Sequence, residues 1–136
     1  MKESISLESW GIAILRMVVG VVFLMHGYQK LFVWGFGGVA AFLTPLGIPA
    51  PSVMAVVLTL VELLGGVALV AGVLTRWAAM LLALDMLVAI LAVHLKNGFF
   101  EPKGYEFVLT LLAACVALGL AGPGAASVDG AIARRD

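Results

Sequence analysis

Gly72 to Phe100 reads GVLTRWAAMLLALDMLVAILAVHLKNGFF, and this stretch decides the fold. From Trp77 to Leu95 only Asp85 and His94 interrupt the apolar side chains. Such a run is too long for a strand and approaches the about 20 apolar residues that a helix needs to cross a bilayer. Reading outward, three further runs of this kind appear, from about Gly11 to Phe32, from about Ser52 to Gly72 and from about Tyr105 to Gly122. The chain of 136 residues is 63% hydrophobic and 12% charged, and eight Lys and Arg balance eight Asp and Glu. A water-soluble domain carries roughly a quarter charged residues, so lipid is the solvent these numbers imply. Zero formal charge without a basic cluster argues against nucleic acid, which needs a cationic face to displace counterions. The expectation is an all-α integral membrane four-helix bundle forming one domain over residues 1–136.

The segment Met1 to Trp10 carries two Glu against one Lys, and no small-residue cleavage site follows, so the first run reads as a retained span rather than a secretory signal. Between the second and third runs only Leu74, Thr75 and Arg76 intervene, which implies a tight antiparallel hairpin. The opposite face is more elaborate. There Trp34 to Pro51 (WGFGGVAAFLTPLGIPAP) brackets a short amphipathic piece, Val39 to Leu43, with Gly and Pro. It reads as an interfacial lid, and Lys96 to Gly104 (KNGFFEPKG) lies on the same face. The termini and the hairpin hold Lys2, Arg76, Arg134 and Arg135, against Lys30, Lys96 and Lys103 opposite, with Arg16 nearer the first side. The positive-inside rule then places the termini in the cytoplasm and the chain in the cell (inner or plasma) membrane. Trp10 and Trp77 form an inner aromatic belt, and Trp34, Phe99, Phe100 and Tyr105 an outer one.

Ionisable residues within a span cost about 2.5 to 3.5 kcal/mol on insertion scales and should face the bundle interior. Counting rise per residue, Glu62 and Asp85 fall near the midplane, His26 roughly 6 Å outward and Arg16 roughly 9 Å inward. His94 and Glu106 lie roughly 11 to 12 Å outward, and Lys30 is one turn beyond His26. Glu62 shares a helix face with Gly65 and Gly66, and Asp85 with Ala78, Ala89 and Ala92, so both acids point at neighbouring helices. Arg16 reads as structural, reaching inner head groups or pairing with Asp85. Glu106 reads as a carboxylate at a helix N-terminus. Cys115 stands alone, which excludes an intramolecular disulfide and a C-x-x-C pair; it reads as a small apolar residue.

Two histidines on different helices raise haem b ligation. With one His per helix, no Glu-x-x-His repeat and unequal depths, that reading and a mixed His and carboxylate metal site are disfavoured. A quinone site asks for less: an apolar, aromatic slot near the interface with one or two protonatable groups at the carbonyls. His26, Gln29, Lys30 and His94, walled by Phe32, Phe99 and Phe100, could supply it. Glu62 would relay a proton, with His26 as its partner in that relay.

The strings LRMVVGVVFLMHGYQKLF (Leu15 to Phe32), VELLGG (Val61 to Gly66), Gly72 to Phe100 as quoted, GYEFVLTLLAACVAL (Gly104 to Leu118) and GPGAASVD (Gly122 to Asp129) together resemble the DoxX family of small membrane proteins. The likeness covers nearly the whole chain. It implies a four-helix integral membrane protein with redox associations, because members are named after a subunit of quinol oxidase or thiosulfate:quinone oxidoreductase systems. The positions it carries over are Arg16, His26, Gly27, Lys30, Glu62, Gly65, Gly66, Arg76, His94, Gly98 and Glu106. No flavin, nicotinamide or iron–sulfur motif is present, so an electron donor would be another subunit or a diffusible quinol. Three readings stand: a quinone- or quinol-interacting component of a membrane oxidoreductase system, a non-catalytic partner that anchors or assembles a redox enzyme, and a small transporter subunit. For the last, Glu62 and Asp85 would line a polar path, and so narrow a bundle would need a homo-oligomer.

Overall fold

A computed structural model describes residues 5–136; Lys2, which entered the charge comparison above, lies outside the described residues. Among them every regular element is helical. Helix α1 runs Leu7–Tyr28, α2 Gly35–Leu43, α3 Pro51–Ala71, α4 Thr75–Ala89, α5 Glu106–Ala121 and α6 Val128–Ala133. Three continuous helical stretches, Leu7–Leu46, Pro51–Ala71 and Thr75–Asn97, are long and apolar enough to cross a membrane, while α5 is a shorter apolar helix.

Local chemistry sets the ends. The Ser6 hydroxyl accepts the Ser9 N–H at 3.1 Å and starts α1. Pro51 opens α3, where its missing N–H costs nothing, and Gly72 closes it in the left-handed region at φ +70°. The hairpin is tighter than the residues separating the apolar runs suggest, because helix resumes at Thr75.

The lid segment departs from its expected form. Instead of a loop enclosing Val39 to Leu43, α1 continues through a π-helical turn, Gln29–Trp34, directly into α2. The two join at Gly35, whose φ of +71° a side chain would resist. Gly37 and Gly38, which read as punctuation, are therefore helical. Burial of Val39 and Leu43 against Ala55 of α3 outweighs their weak helix propensity, about 1 kcal/mol each.

Helix α1 packs along α3, α4 along α5, and α3 against α4. The shared core contains Phe23, Leu69, Leu82, Leu111, Cys115 and Leu118. Around it the large apolar side chains point outward, with Leu64, Leu84 and Leu120 all more than half exposed, as a surface facing lipid requires.

At the opposite end of the fold from α2, the segment after α5 folds back over the helix ends. Arg16, fully buried, donates to the carbonyls of Pro123, Ala125 and Ala126. It therefore neither reaches for head groups nor meets Asp85. Arg76 likewise donates to Gly119 and Leu120 at 3.1 and 2.7 Å, occupying the last carbonyls of α5. Asp129 accepts the N–H groups of Leu74 and Thr75 at 2.8 and 2.9 Å, capping α4 from a distant point in the chain.

Burial alone would raise the Asp129 carboxyl, but hydrogen bonds from Thr75 and Leu74 and the charge of Arg16 hold it below the usual range. A depressed carboxylate contributes stability above its unfolded pKa, about 3.9, and loses it as pH falls through the lower folded value. Asp129→Ala is expected to cost about 1 kcal/mol, the usual worth of a cap. Thermal unfolding in detergent checks this, and the difference from the parent chain should shrink as the pH is lowered through the carboxylate range.

Candidate functional site

Glycines set the site's geometry. Where α1 crosses α3, a Cβ on Gly20 would lie 2.8 Å from Val70 N, one on Gly27 2.5 Å from Leu63 N, and one on Gly66 would collide with Leu24 N. Real Cβ atoms do not approach so closely, so backbone meets backbone along this seam. Gly27 precedes Lys30 by three residues and Leu63 follows Glu62 directly. Their contact delivers Lys30 onto Glu62, and Nζ donates to Oε2 at 2.6 Å with both side chains largely buried.

Further groups complete the cluster. Lys30 Nζ lies 5.9 Å from the centroid of the Trp34 ring, a distance at which the ring's π face attracts a cation. Both belong to the π-helical turn, whose wider winding keeps His26, Lys30 and Trp34 on one cavity wall. From α4, Asp85 stands opposite Glu62: Leu82 packs on Gly65, and one turn further along each of these adjacent helices both acids line the same cavity, while the Oδ2 of Asp85 is buried with no partner. A second π-helical turn, Ile90–His94, ends α4. There His94 Nδ1 lies 3.2 Å from the Lys103 carbonyl, which also accepts from Asn97 at 3.2 Å. These bonds pin the 97–103 loop.

Between these elements is a cavity of about 510 Å³, well within the size range of small-molecule sites. Its walls include Phe23, Val39, Phe42, Leu43 and Met86; His26, Lys30, Glu62 and Asp85 are its polar groups within the helices, and His94, Asn97, Glu101 and Lys103 those at the loop. Most of the lining is apolar. Among the described residues no three His, Cys, Asp or Glu are grouped as a metal ion would need.

The sequence-derived candidates divide accordingly. His26, Lys30, Glu62 and His94 share the cavity. Gln29 does not line it, and neither do Phe32, Phe99 and Phe100. Phe32 stacks obliquely on Tyr28 instead. Phe99 packs edge-on against Phe100 and Tyr105, and Phe100 is 77% exposed. Glu106 is occupied in accepting the Glu101 N–H at 2.9 Å. Asp85 read as structural polar core yet stands in the cavity, and Trp34, assigned above to an aromatic belt, forms part of its wall. The equal depth of Asp85 and Glu62 was the signal for the first; nothing local signals the second, because the π-helical turn shifts helical phase.

The family model for DoxX matches residues 11–95. The chain belongs to the DoxX family. A Bacillus subtilis relative named "Putative oxidoreductase CatD" is 35% identical, with 79% of this chain and 78% of that one aligned. The "Uncharacterized membrane protein Rv3486" of Mycobacterium tuberculosis is 33% identical over 89% of this chain and 80% of its own. The "Inner membrane protein YphA" of Escherichia coli is 27% identical, covering 85% and 86%. No solved structure matches. The DoxX match contains Gly20, Gly27, Lys30, Glu62, Gly66 and Asp85, so the seam and the cluster it creates both fall within the family region.

Gly27→Ala is expected to part α1 from α3 and lower stability by about 1–3 kcal/mol, the usual cost of overpacking. A Cβ at Gly37 meets nothing within 4 Å, so Gly37→Ala should be neutral or stabilising. Paired thermal melts in detergent compare the two.

Proposed function

We propose that this DoxX protein is a four-helix transmembrane bundle whose cavity receives the head group of a quinone or quinol, as a component of a membrane oxidoreductase system. The observation that carries this reading is the Lys30–Glu62 pair, 2.6 Å apart, in the polar part of an otherwise apolar cavity of about 510 Å³. Helix α5, with 16 residues, is roughly 24 Å long at 1.5 Å per residue; Tyr105 and Gly122 extend it toward the interfaces as the fourth span. In this arrangement α2 is the lid, and the termini, with Arg76, Arg134 and Arg135, face the cytoplasm.

The residues fit the ligand's chemistry. A quinone carbonyl accepts hydrogen bonds, and the Lys30 ammonium has three donors, of which Glu62 takes one. His26 adds a group able to donate or accept, and Trp34, Phe23 and Phe42 offer surfaces for a ring. When bound, the quinone supplies two-electron redox chemistry. The chain's own part is to bind and orient the head group, to exclude water beneath α2, and to hold protons at Glu62 and His26. The name of the Bacillus subtilis relative and the inner-membrane naming of the Escherichia coli relative agree with this reading.

The test is equilibrium binding of short-chain ubiquinone and menaquinone analogues to the detergent-purified chain, read by quenching of tryptophan fluorescence. Saturable binding is expected, weakened tenfold or more in Lys30→Met and Glu62→Gln. Absence of saturation, or affinity unchanged in both variants, overturns the reading. A chain that binds no quinone but co-purifies with a redox enzyme would instead be an assembly partner.

A further inference from the structure

Asp85 is the group the quinone reading leaves without a role. It faces the same cavity as Glu62, opposite that acid where Leu82 packs on Gly65 one turn away, and keeps a buried Oδ2 that no donor satisfies. Two ionised carboxylates have four acceptor oxygens and no donor between them. They can hydrogen-bond to each other only when one carries a proton, and burial penalises every uncompensated charge. Lys30 supplies one positive charge, at 2.6 Å from Glu62. Two acids and one ammonium are neutral when the acids share one proton.

We infer that Glu62 and Asp85 form a carboxyl–carboxylate pair holding one exchangeable proton, with Lys30 as its tethered counter-cation, and that a ligand drawing Lys30 away loads the pair with a second proton. The geometry supports each part. Glu62 comes from α3, Asp85 from α4 and Lys30 from the π-helical turn after α1, so the three groups meet from separate elements. The other titratable groups lining the cavity are His26 on α1, His94 at the end of the second π-helical turn, and Glu101 and Lys103 on the loop; Cys115 is buried in the core on α5.

The consequence concerns proton supply. When a hydrogen-bond acceptor draws the Lys30 ammonium away from Glu62, the pair loses its adjacent counter-charge, and one proton from solution neutralises the remaining carboxylate while Lys30 keeps its charge beside the ligand. The loaded pair then holds two protons within the cavity, the number that reduction of a quinone to a quinol consumes. This second step rests on the quinone reading; the one-proton pair does not.

Infrared spectroscopy of the full chain in detergent at neutral pH tests the pair directly. A protonated-carboxyl C=O band that shifts in heavy water is expected in the parent chain. It should be lost in Asp85→Asn and in Glu62→Gln, since the remaining acid is then matched by Lys30. It should about double in Lys30→Met combined with His26→Asn, where neither neighbouring base of the helices compensates the pair and each acid takes a proton. That increase is one a merely structural role for Asp85 would not give. A parent spectrum without the band, or a band that persists undiminished in both single variants, overturns the pair; the parent spectrum decides even if a variant fails to fold. The linkage is read with a pH indicator in weak buffer while a short-chain quinone is added. Uptake of about one proton per bound quinone, abolished in Asp85→Asn, is expected. Binding without uptake overturns the linkage, and the band without any quinone binding upholds the pair while removing the quinone reading.

Discussion

The backbone contact between α1 and α3 is the constraint on which the rest depends. Gly20, Gly27 and Gly66 leave no room for a side chain between the two helices. In lipid, apolar surface gains little from leaving its surroundings, so helices associate through close packing and through polar contacts that a larger separation would break. Here the two act together. The glycines bring the axes close, and the same closeness lets a lysine on one helix reach an acid on the other. A buried ion pair is weak evidence for stability by itself, and its position beside a cavity gives it another use.

The two ends of the fold solve different problems. At the end away from α2, Arg76 takes carbonyls at the end of α5, Asp129 takes the N–H groups that open α4, and Arg16 holds carbonyls of the segment after α5. Every strong partner there belongs to the backbone, and the segment from Pro123 to Asp129 is held as a closure. Toward α2 the polar groups meet one another across a space. The π-helical turns Gln29–Trp34 and Ile90–His94 both lie at that end, and such turns often mark functional sites because they redirect side chains within a helix. One end gives its charged side chains backbone partners, while the other sets its charged groups against each other beside a cavity and keeps an unpartnered carboxylate oxygen.

Much of this was legible in the residues, though unevenly. Helix positions followed from apolar run lengths, and the inward orientation of Glu62 followed from the small residues on its face. The pairing of Glu62 with Lys30 was not legible, since a span's residues reveal depth and face but not which neighbouring helix supplies the partner. Arg16 illustrates this: its depth suggested head groups or Asp85, whereas its partners are carbonyls more than a hundred residues along the chain. Phe99 and Phe100 had the right composition and depth for a cavity wall, but their own edge-on packing turns them away.

The sequence by itself determined the solvent, the helical class and the family, because the length and composition of apolar runs are properties of contiguous residues and need no knowledge of neighbours. It also marked Glu62, Lys30, His26 and His94 as candidates, since charge within an apolar run is visible one residue at a time. Only the tertiary structure decided that α2 continues from α1, that Asp85 joins Glu62, and that Trp34 rather than the paired phenylalanines walls the cavity. Those outcomes depend on helical phase after a π-helical turn and on which helices touch. Both are set by packing between elements far apart in the chain, which no local pattern encodes.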